Sequence, residues 1–289
     1  MKIRLKMLSA SSMTFLNKIN KKALVCACLS VVLCAVAVFS SVMVHKNNVF
    51  TPDYERLDLS GFVEKELTQQ DYKTLFYQTG LGKSAIDEIL LTENALERLN
   101  TFQEQFFAQK DAKCVREVLT TCMEYSDTRF LFAPYQEGDI VAMLSSHSFG
   151  WRHGHIGLII GPNRTLEAPI IGEPSTYYSL SQWRTFSTFI LLRVRDIDAE
   201  QAKQIAISAS DNLYGVYYSP LASVFKKYSG PQPKSVQCAS LVWTAFYSYG
   251  IDLDSDGGNI ITVNDIIYSD KLEIVQIYGL NPQKFEKLL

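Results

Sequence analysis

The chain has 289 residues, of which 47% are hydrophobic and 20% charged, and this composition excludes an intrinsically disordered protein. The formal net charge of −2 hides an asymmetry, because residues 1–22 carry six of the 28 basic residues and no acidic residue. The rest of the chain has 22 basic against 30 acidic residues, a net charge of −8. We therefore expect no nucleic-acid partner, since neutralising phosphates requires clustered Lys and Arg.

The first predicted element is an apolar segment at 23–44, which follows the basic N-terminus directly and contains no charged residue. As a helix it would be about 33 Å long, and a bilayer core is about 30 Å thick. The basic flank predicts that residues 1–22 are cytoplasmic and that the rest of the chain faces outward. We favour an uncleaved signal anchor, with a cleaved signal peptide and a secreted protein as the alternative.

Residues 45–137 are predicted to form a helical extension. Apolar residues recur three and four positions apart, as at Ile86, Ile89 and Leu90. GLGKS at 80–84 is similar to the end of a phosphate-binding loop, but Tyr77 occupies the position of the required first glycine. The two glycines of this segment are better interpreted as a turn between helices.

Three cysteines lie in the part of the chain that is predicted to be exported. Cys114 and Cys122 fall in KCVREVLTTCMEY, which is interpreted as a helix. Eight residues of helix separate two backbones by about 12 Å, too far for a disulfide, whereas a break in the helix would let them pair. In either case Cys238 is a free thiol.

From residue 138 onward the pattern changes to short β runs separated by turn residues. The order is four strands, a helix from about Ala199, a loop at 219–233, a helix that opens at Cys238 and a last strand, KLEIVQIY. This order predicts an α+β domain over residues 138–289.

Cys238 opens an amphipathic helix that ends near Gly250. The apolar stripe of this helix contains Leu241, Val242, Ala245 and Phe246. The N–H groups of a first helical turn point outward without partners, and such a position activates a thiol and can stabilise an oxyanion. Cys238 is therefore a candidate nucleophile, with a small buried residue as the alternative interpretation.

His155 lies in an apolar strand with Gly154 and Gly157 beside it, which leaves room for another group to approach the ring. Glu167 follows in the next strand and is suitably placed to accept a hydrogen bond from the second ring nitrogen. These residues are candidates for a general base and its orienting carboxylate. The alternative for Glu167 is a structural salt bridge with Arg152, Arg184 or Arg193.

His153 could complete a zinc site with His155 and Cys238, but no further Cys/His pair at ligand spacing supports it. A rim or loop position is the preferred interpretation. His147, in SSHSFG, is expected in a loop without a functional role. We predict neither a metal nor a cofactor for the site.

The segment DLDSDGG has the start of a calcium-binding loop. Asp252, Asp254, Asp256 and Gly257 occupy loop positions one, three, five and six, but position twelve is Val263 rather than a bidentate Glu. The coordination shell is incomplete, and a solvated acidic turn is the preferred interpretation.

Taken in order, GDIVAML, HIGLIIG, LEA and CASLVW resemble the permuted, YiiX-like branch of the NlpC-type papain-like cysteine hydrolases. In the ordinary arrangement the cysteine helix precedes the histidine strand, whereas here it follows, as permutation of a compact domain allows. The resemblance covers about residues 138–270 and departs from the family at Ala239 and Ser240. It implies a papain-like fold with an antiparallel sheet packed on the nucleophile helix. It also implies Cys238 as nucleophile, His155 as general base and Glu167 as the orienting residue.

The resemblance and the outward topology lead us to expect a membrane-anchored cell-surface hydrolase that cleaves an amide in peptidoglycan stem peptides. A lipid-directed acyltransferase, amidase or thioesterase acting on an acyl-lipid is the alternative, and a non-catalytic wall-binding protein is a third. Aromatic residues near the predicted site suit sugar stacking, an acyl groove or a core. They are Trp151, Tyr177, Tyr178, Trp183, Tyr214, Tyr217 and Tyr218.

Overall fold

The computed structural model describes residues 23–35, 49–115, 122–148, 151–220, 222 and 232–289. The chain divides into two compact units, Met1–Lys46 and Asn47–Leu289. In the first unit residues 23–35 form helix α1, whose side chains are exposed. Across the described ranges, no helix is both long enough and apolar enough to cross a membrane. The predicted span at 23–44 continues past α1 into residues that lie outside these ranges.

The second unit begins with four helices, α2 (Ser60–Val63), α3 (Gln69–Thr79), α4 (Lys83–Leu90) and α5 (Ala95–Phe107). Helix α3 starts at a capping box formed by Thr68 and Asp71. It ends at Gly80, whose φ of +73° is the left-handed conformation that glycine adopts readily. A Cβ on Gly82 would lie 1.6 Å from the carbonyl oxygen of Ile274. Both glycines are thus needed for a tight turn between helices, as predicted.

The prediction that the helical extension continues to residue 137 is wrong for its last third. Strands β1 (Ala112–Val115) and β2 (Cys122–Ser126) pair as an antiparallel hairpin. The Cα atoms of Cys114 and Cys122 are therefore 5.5 Å apart, and the two cysteines form a disulfide. The helical interpretation failed because the β-branched residues of this segment suit a strand at least as well as a helix. Cys238 is a free cysteine, as expected.

Within the described residues the remaining strands belong to two antiparallel sheets. They are β3 (Ile140–Met143), β4 (Ser146–Ser148), β5 (Trp151–Arg152), β6 (His155–Gly161), β7 (Arg164–Glu167), β8 (Thr176–Ser179), β9 (Phe189–Val194) and β10 (Leu272–Tyr278). The larger sheet has the order β10-β9-β3-β6-β7-β8, and the smaller has the order β1-β2-β4-β5.

Three further α-helices complete the unit, α6 (Ala199–Leu213), α7 (Cys238–Tyr247) and α8 (Val263–Ile267). Short 3-10 helices lie at Leu180–Thr185, Pro282–Lys284 and Glu286–Leu288. The α+β prediction for residues 138–289 is confirmed, including the order of strands, helix, helix and strand.

The six-stranded sheet is covered on both faces. Alternate residues of β3 point to opposite sides, as a pleated strand requires. Ile140 and Ala142 belong to the hydrophobic cluster that contains α6 and α7. Val141 and Met143 belong to the cluster that contains α3, α4 and α5. The helical extension therefore packs directly on the sheet as part of the same compact unit.

Candidate active site

Cys238 is the first residue of α7, as predicted, and is 8% exposed. The preceding residue, Gln237, is the N-cap, and its Oε1 accepts a hydrogen bond from the Ala239 N–H at 3.3 Å. Ser240 Oγ completes the capping box by accepting from the Gln237 N–H at 2.9 Å. The thiol is thus fixed at the positive end of a buried helix, where backbone N–H groups lack partners within the helix.

His155 is the first residue of β6, opposite Met143 of β3, and its side chain is 12% exposed. Gly154 has a φ of +78°, and a Cβ on it would lie 2.4 Å from the carbonyl oxygen of Met143. A Cβ on Gly157 would lie 2.7 Å from Cγ of Glu167. The two glycines therefore let the chain turn sharply into β6 and let the carboxylate side chain lie across the strand beside the imidazole.

Glu167 is the last residue of β7, and its carboxylate is fixed by three neighbours. Its Oε2 lies 2.7 Å from His155 Nε2. Its Oε1 accepts a hydrogen bond from Trp183 Nε1 at 2.9 Å and another from Thr165 Oγ1. The Trp183 ring also stacks on the imidazole, with the centroids 5.5 Å apart and the planes 11° apart. The ring and its carboxylate are held in one orientation.

The alternative interpretation, in which Glu167 forms a salt bridge with an arginine, is wrong for the described residues. Arg193 pairs with Asp139 at 2.9 Å. Arg184 donates to a backbone carbonyl at 2.6 Å, and the guanidinium of Arg152 lies 3.6 Å from a different glutamate. The polar contacts of Glu167 are directed to the candidate site instead.

Cys238 acts electrostatically on His155, while its own Sγ donates a hydrogen bond to Gln237 Oε1 at 3.7 Å. Nε2 of the ring is occupied by Glu167, which leaves Nδ1 for a second partner. Burial alone would lower the pKa of His155, but the interactions with Cys238 and Glu167 raise it to about 10. The imidazole is therefore held in its charged form at neutral pH.

Sequence analysis did not name Thr165 or Gln237, and it named Trp183 and Tyr218 only as aromatic residues near the site. Thr165 and Trp183 hold Glu167, but nothing in their local sequence indicates this. Gln237 could have been recognised as an N-cap from its position before the helix. Tyr218 lies on a segment bridged to Val236, and burial and then the charge of Cys238 raise its pKa.

The other two histidines near the site have separate partners. His153 Nδ1 lies 2.9 Å from the Gly154 carbonyl oxygen and 3.3 Å from Ser146 Oγ. Its ring does not converge with Cys238 in a metal-ligating group of the described residues, so the zinc interpretation has no support there. His147 was expected in a loop, but it is buried in β4 and lies 2.6 Å from Glu124 Oε1.

The acidic loop also differs from the predicted ligand set. Asp254 and Asp256 converge with Asp265, their oxygens lying within 4.8 Å of one another, in the part of the chain that the structure describes. Asp252 instead accepts a hydrogen bond from Trp243 Nε1 at 2.8 Å. The calcium-loop interpretation with Asp252, Asp254 and Asp256 as ligands is therefore wrong in its first residue.

A scan against protein-family models found no match for this chain, and a search of curated proteins found none either. Among solved structures, the chain is similar to the metalloprotein yiiX from Escherichia coli, with 16% sequence identity and a TM-score of 0.36. The matched region covers 48% of this chain and 96% of that one.

Proposed function

We propose that this protein is a cysteine-dependent hydrolase that acts through a covalent acyl-enzyme. The observation that carries this proposal is the pair of His155 Nε2 and Glu167 Oε2 at 2.7 Å, with Cys238 near enough to the ring to raise its pKa. A thiol at the start of a helix, a charged imidazole against it and a buried carboxylate behind the ring are the parts that this chemistry requires.

In the proposed reaction the Cys238 thiolate attacks the carbonyl carbon and forms a carbon–sulfur bond. The N–H of Cys238, at the first turn of α7, donates to the developing oxyanion. His155 then gives its proton to the leaving amine as the carbon–nitrogen bond breaks. Water, deprotonated by His155, attacks the thioester, which releases the carboxylic acid and restores the thiol. Glu167 keeps the ring oriented throughout.

For the substrate we propose an amide in peptidoglycan stem peptides. Two predictions from the sequence support this choice: the resemblance of the HIGLIIG and CASLVW motifs to those of wall hydrolases, and the outward topology set by the segment at 23–44. The catalytic unit would then act at the cell surface.

The test is to incubate the full-length protein with purified peptidoglycan and to identify soluble fragments by mass spectrometry. We expect fragments from the wild-type protein and none from Cys238→Ala. Cys28→Ala is the matched control, since this free cysteine lies in the other compact unit. A Cys238→Ala variant that releases fragments at the wild-type rate would contradict the proposed mechanism.

A lipid-directed enzyme is the second candidate, favoured by exposed apolar side chains near the sulfur. Ile170, Ile171 and Tyr217 are all exposed. The Gly172 N–H donates to the Tyr218 carbonyl at 3.2 Å, so these residues lie on neighbouring segments beside the site. An exposed apolar patch of this kind suits an acyl chain.

Incubation with an acyl-phospholipid, followed by mass spectrometry, separates the candidates. Acyl transfer or release that depends on Cys238 would favour the lipid-directed enzyme, and wall fragments would favour the amidase. Retention on peptidoglycan without products from either substrate would favour the non-catalytic wall-binding protein.

A further inference from the structure

The side chain of Gln237 makes contacts at both ends of its amide, directly beside the candidate nucleophile. Its Oε1 accepts from the Ala239 N–H at 3.3 Å and lies 3.7 Å from Cys238 Sγ. Its Nε2 donates to the backbone carbonyl of Ile261. One amide therefore connects the first turn of α7 to the segment that precedes α8.

That segment also contacts the histidine half of the site. A Cβ on Gly154, the residue before His155, would lie 3.3 Å from Cγ1 of Val263, so the Val263 side chain packs against the backbone there. Ile261 is fully buried, and the start of α8 is fixed by a capping box between Thr262 and its third helical residue. Residues 261–263 are thus a rigid element that touches both halves of the site.

We propose that Gln237 is a positioning residue, which fixes the Cys238 sulfur against His155 by holding α7 to residues 261–263. This inference rests on the proposed function. The role requires a specific side chain, which must accept a hydrogen bond from a helix N–H at one atom and donate a hydrogen bond to a carbonyl at another. Among uncharged side chains of this length, only glutamine offers both.

Two substitutions separate the two contacts. Gln237→Asn keeps a good N-cap, but its side chain is one methylene shorter and cannot reach the Ile261 carbonyl. Gln237→Glu keeps the length and the cap acceptor, but it replaces the donor by an oxygen that faces the carbonyl. Gln78→Asn is the matched control, because the amide of this buried glutamine also bonds two backbone groups, away from the site.

The experiment measures hydrolysis of p-nitrophenyl acetate by the full-length proteins, together with the rate of alkylation of Cys238 by iodoacetamide across pH, located by peptide mass mapping. We expect Gln237→Asn to lower kcat by about 10- to 100-fold with little change in KM, because a small misplacement of reacting groups is enough for such a loss. Its melting temperature should stay near that of the wild type. Gln237→Glu should lose as much activity and move the alkylation profile to higher pH, because a new negative charge lies beside the sulfur.

The control variant Gln78→Asn should have a lower melting temperature than the wild type but the same kcat and the same alkylation profile. The positioning role is overturned if both Gln237 variants keep kcat within twofold of the wild type, or if their activity falls only in step with their melting temperature. A Cys238→Ala protein that is as active as the wild type would instead remove the proposed function, and the positioning role with it.

Discussion

Replacing Glu167 by glutamine tests whether the buried carboxylate sets the charge of the catalytic ring. The pKa of His155 is raised from 6.5 to about 10, a difference of about 3.5 pH units. At about 1.36 kcal/mol per unit, the charged ring is favoured by about 5 kcal/mol in all. The His155 side chain is only 12% exposed, so solvent screening reduces this figure little.

Cys238 and Glu167 each raise the pKa of His155. Glu167 contributes part of this effect, and a loss of about 1.4 to 2.7 kcal/mol corresponds to a factor of about 10 to 100 in rate. The substituted amide would keep the shape of the side chain and remove its charge. We therefore expect kcat/KM of Glu167→Gln to fall by a factor in this range.

The same substitution has a consequence for stability. Because the folded-state pKa of His155 is raised, its charged form stabilises the fold fully below pH about 6.5, and this stabilisation is lost as pH rises to about 10. The wild-type melting temperature should fall through this window. Glu167→Gln should show a smaller fall, since it has less of this stabilisation to lose.

The assay is hydrolysis of the p-nitrophenyl ester and thermal unfolding, each measured from pH 6 to pH 10 for both proteins. An unchanged kcat/KM together with an unchanged slope of melting temperature against pH would show that Glu167 does not set the charge of the ring.

Three further predictions concern packing around the site and the smaller sheet. Gly157→Ala should lower activity at least tenfold and cost about 1 to 3 kcal/mol in chemical unfolding, because its Cβ would overlap the carboxylate side chain. Gly161→Ala is the control, because its Cβ would lie 3.9 Å from the nearest atom, and it should change neither the activity nor the free energy of unfolding. His147→Leu should cost about 1 to 3 kcal/mol in urea unfolding, because the buried Glu124 would keep Ser187 and Arg152 but lose its shortest contact. Cys114→Ser, which opens a disulfide across eight residues, should cost about 2.5 kcal/mol in the same assay, and a reductant should abolish the difference.

The sequence was sufficient to predict the parts of the site that depend on local pattern. Strand alternation and flanking glycines marked His155, and an apolar stripe placed Cys238 at the start of a helix; both elements are found at these positions. Glu167 could be associated with His155 because the two residues lie on strands that are consecutive in the chain, and such strands commonly pair.

The parts that failed depend on contacts between distant segments. The helix-like spacing around Cys114 does not indicate a pair of strands. Strand β2 also pairs with β4, and this contact cannot be read from local preference. The burial of His147 could not be predicted either, because its partner Glu124 lies 23 residues earlier in the chain. The contact of Gln237 with Ile261 spans 24 residues and has no periodic signature.

Helices α3, α4 and α5, which cover one face of the six-stranded sheet, limit how this protein can be shortened. A fragment that starts at residue 138 would contain every side chain of the candidate site, yet it would uncover Val141, Ile159, Leu191 and Val275 on one side of the sheet. Water-exposed apolar surface on that scale favours self-association over folding. We therefore expect the smallest soluble fragment to begin near Asn47, because the first ninety or so residues of that unit are needed to cover the sheet.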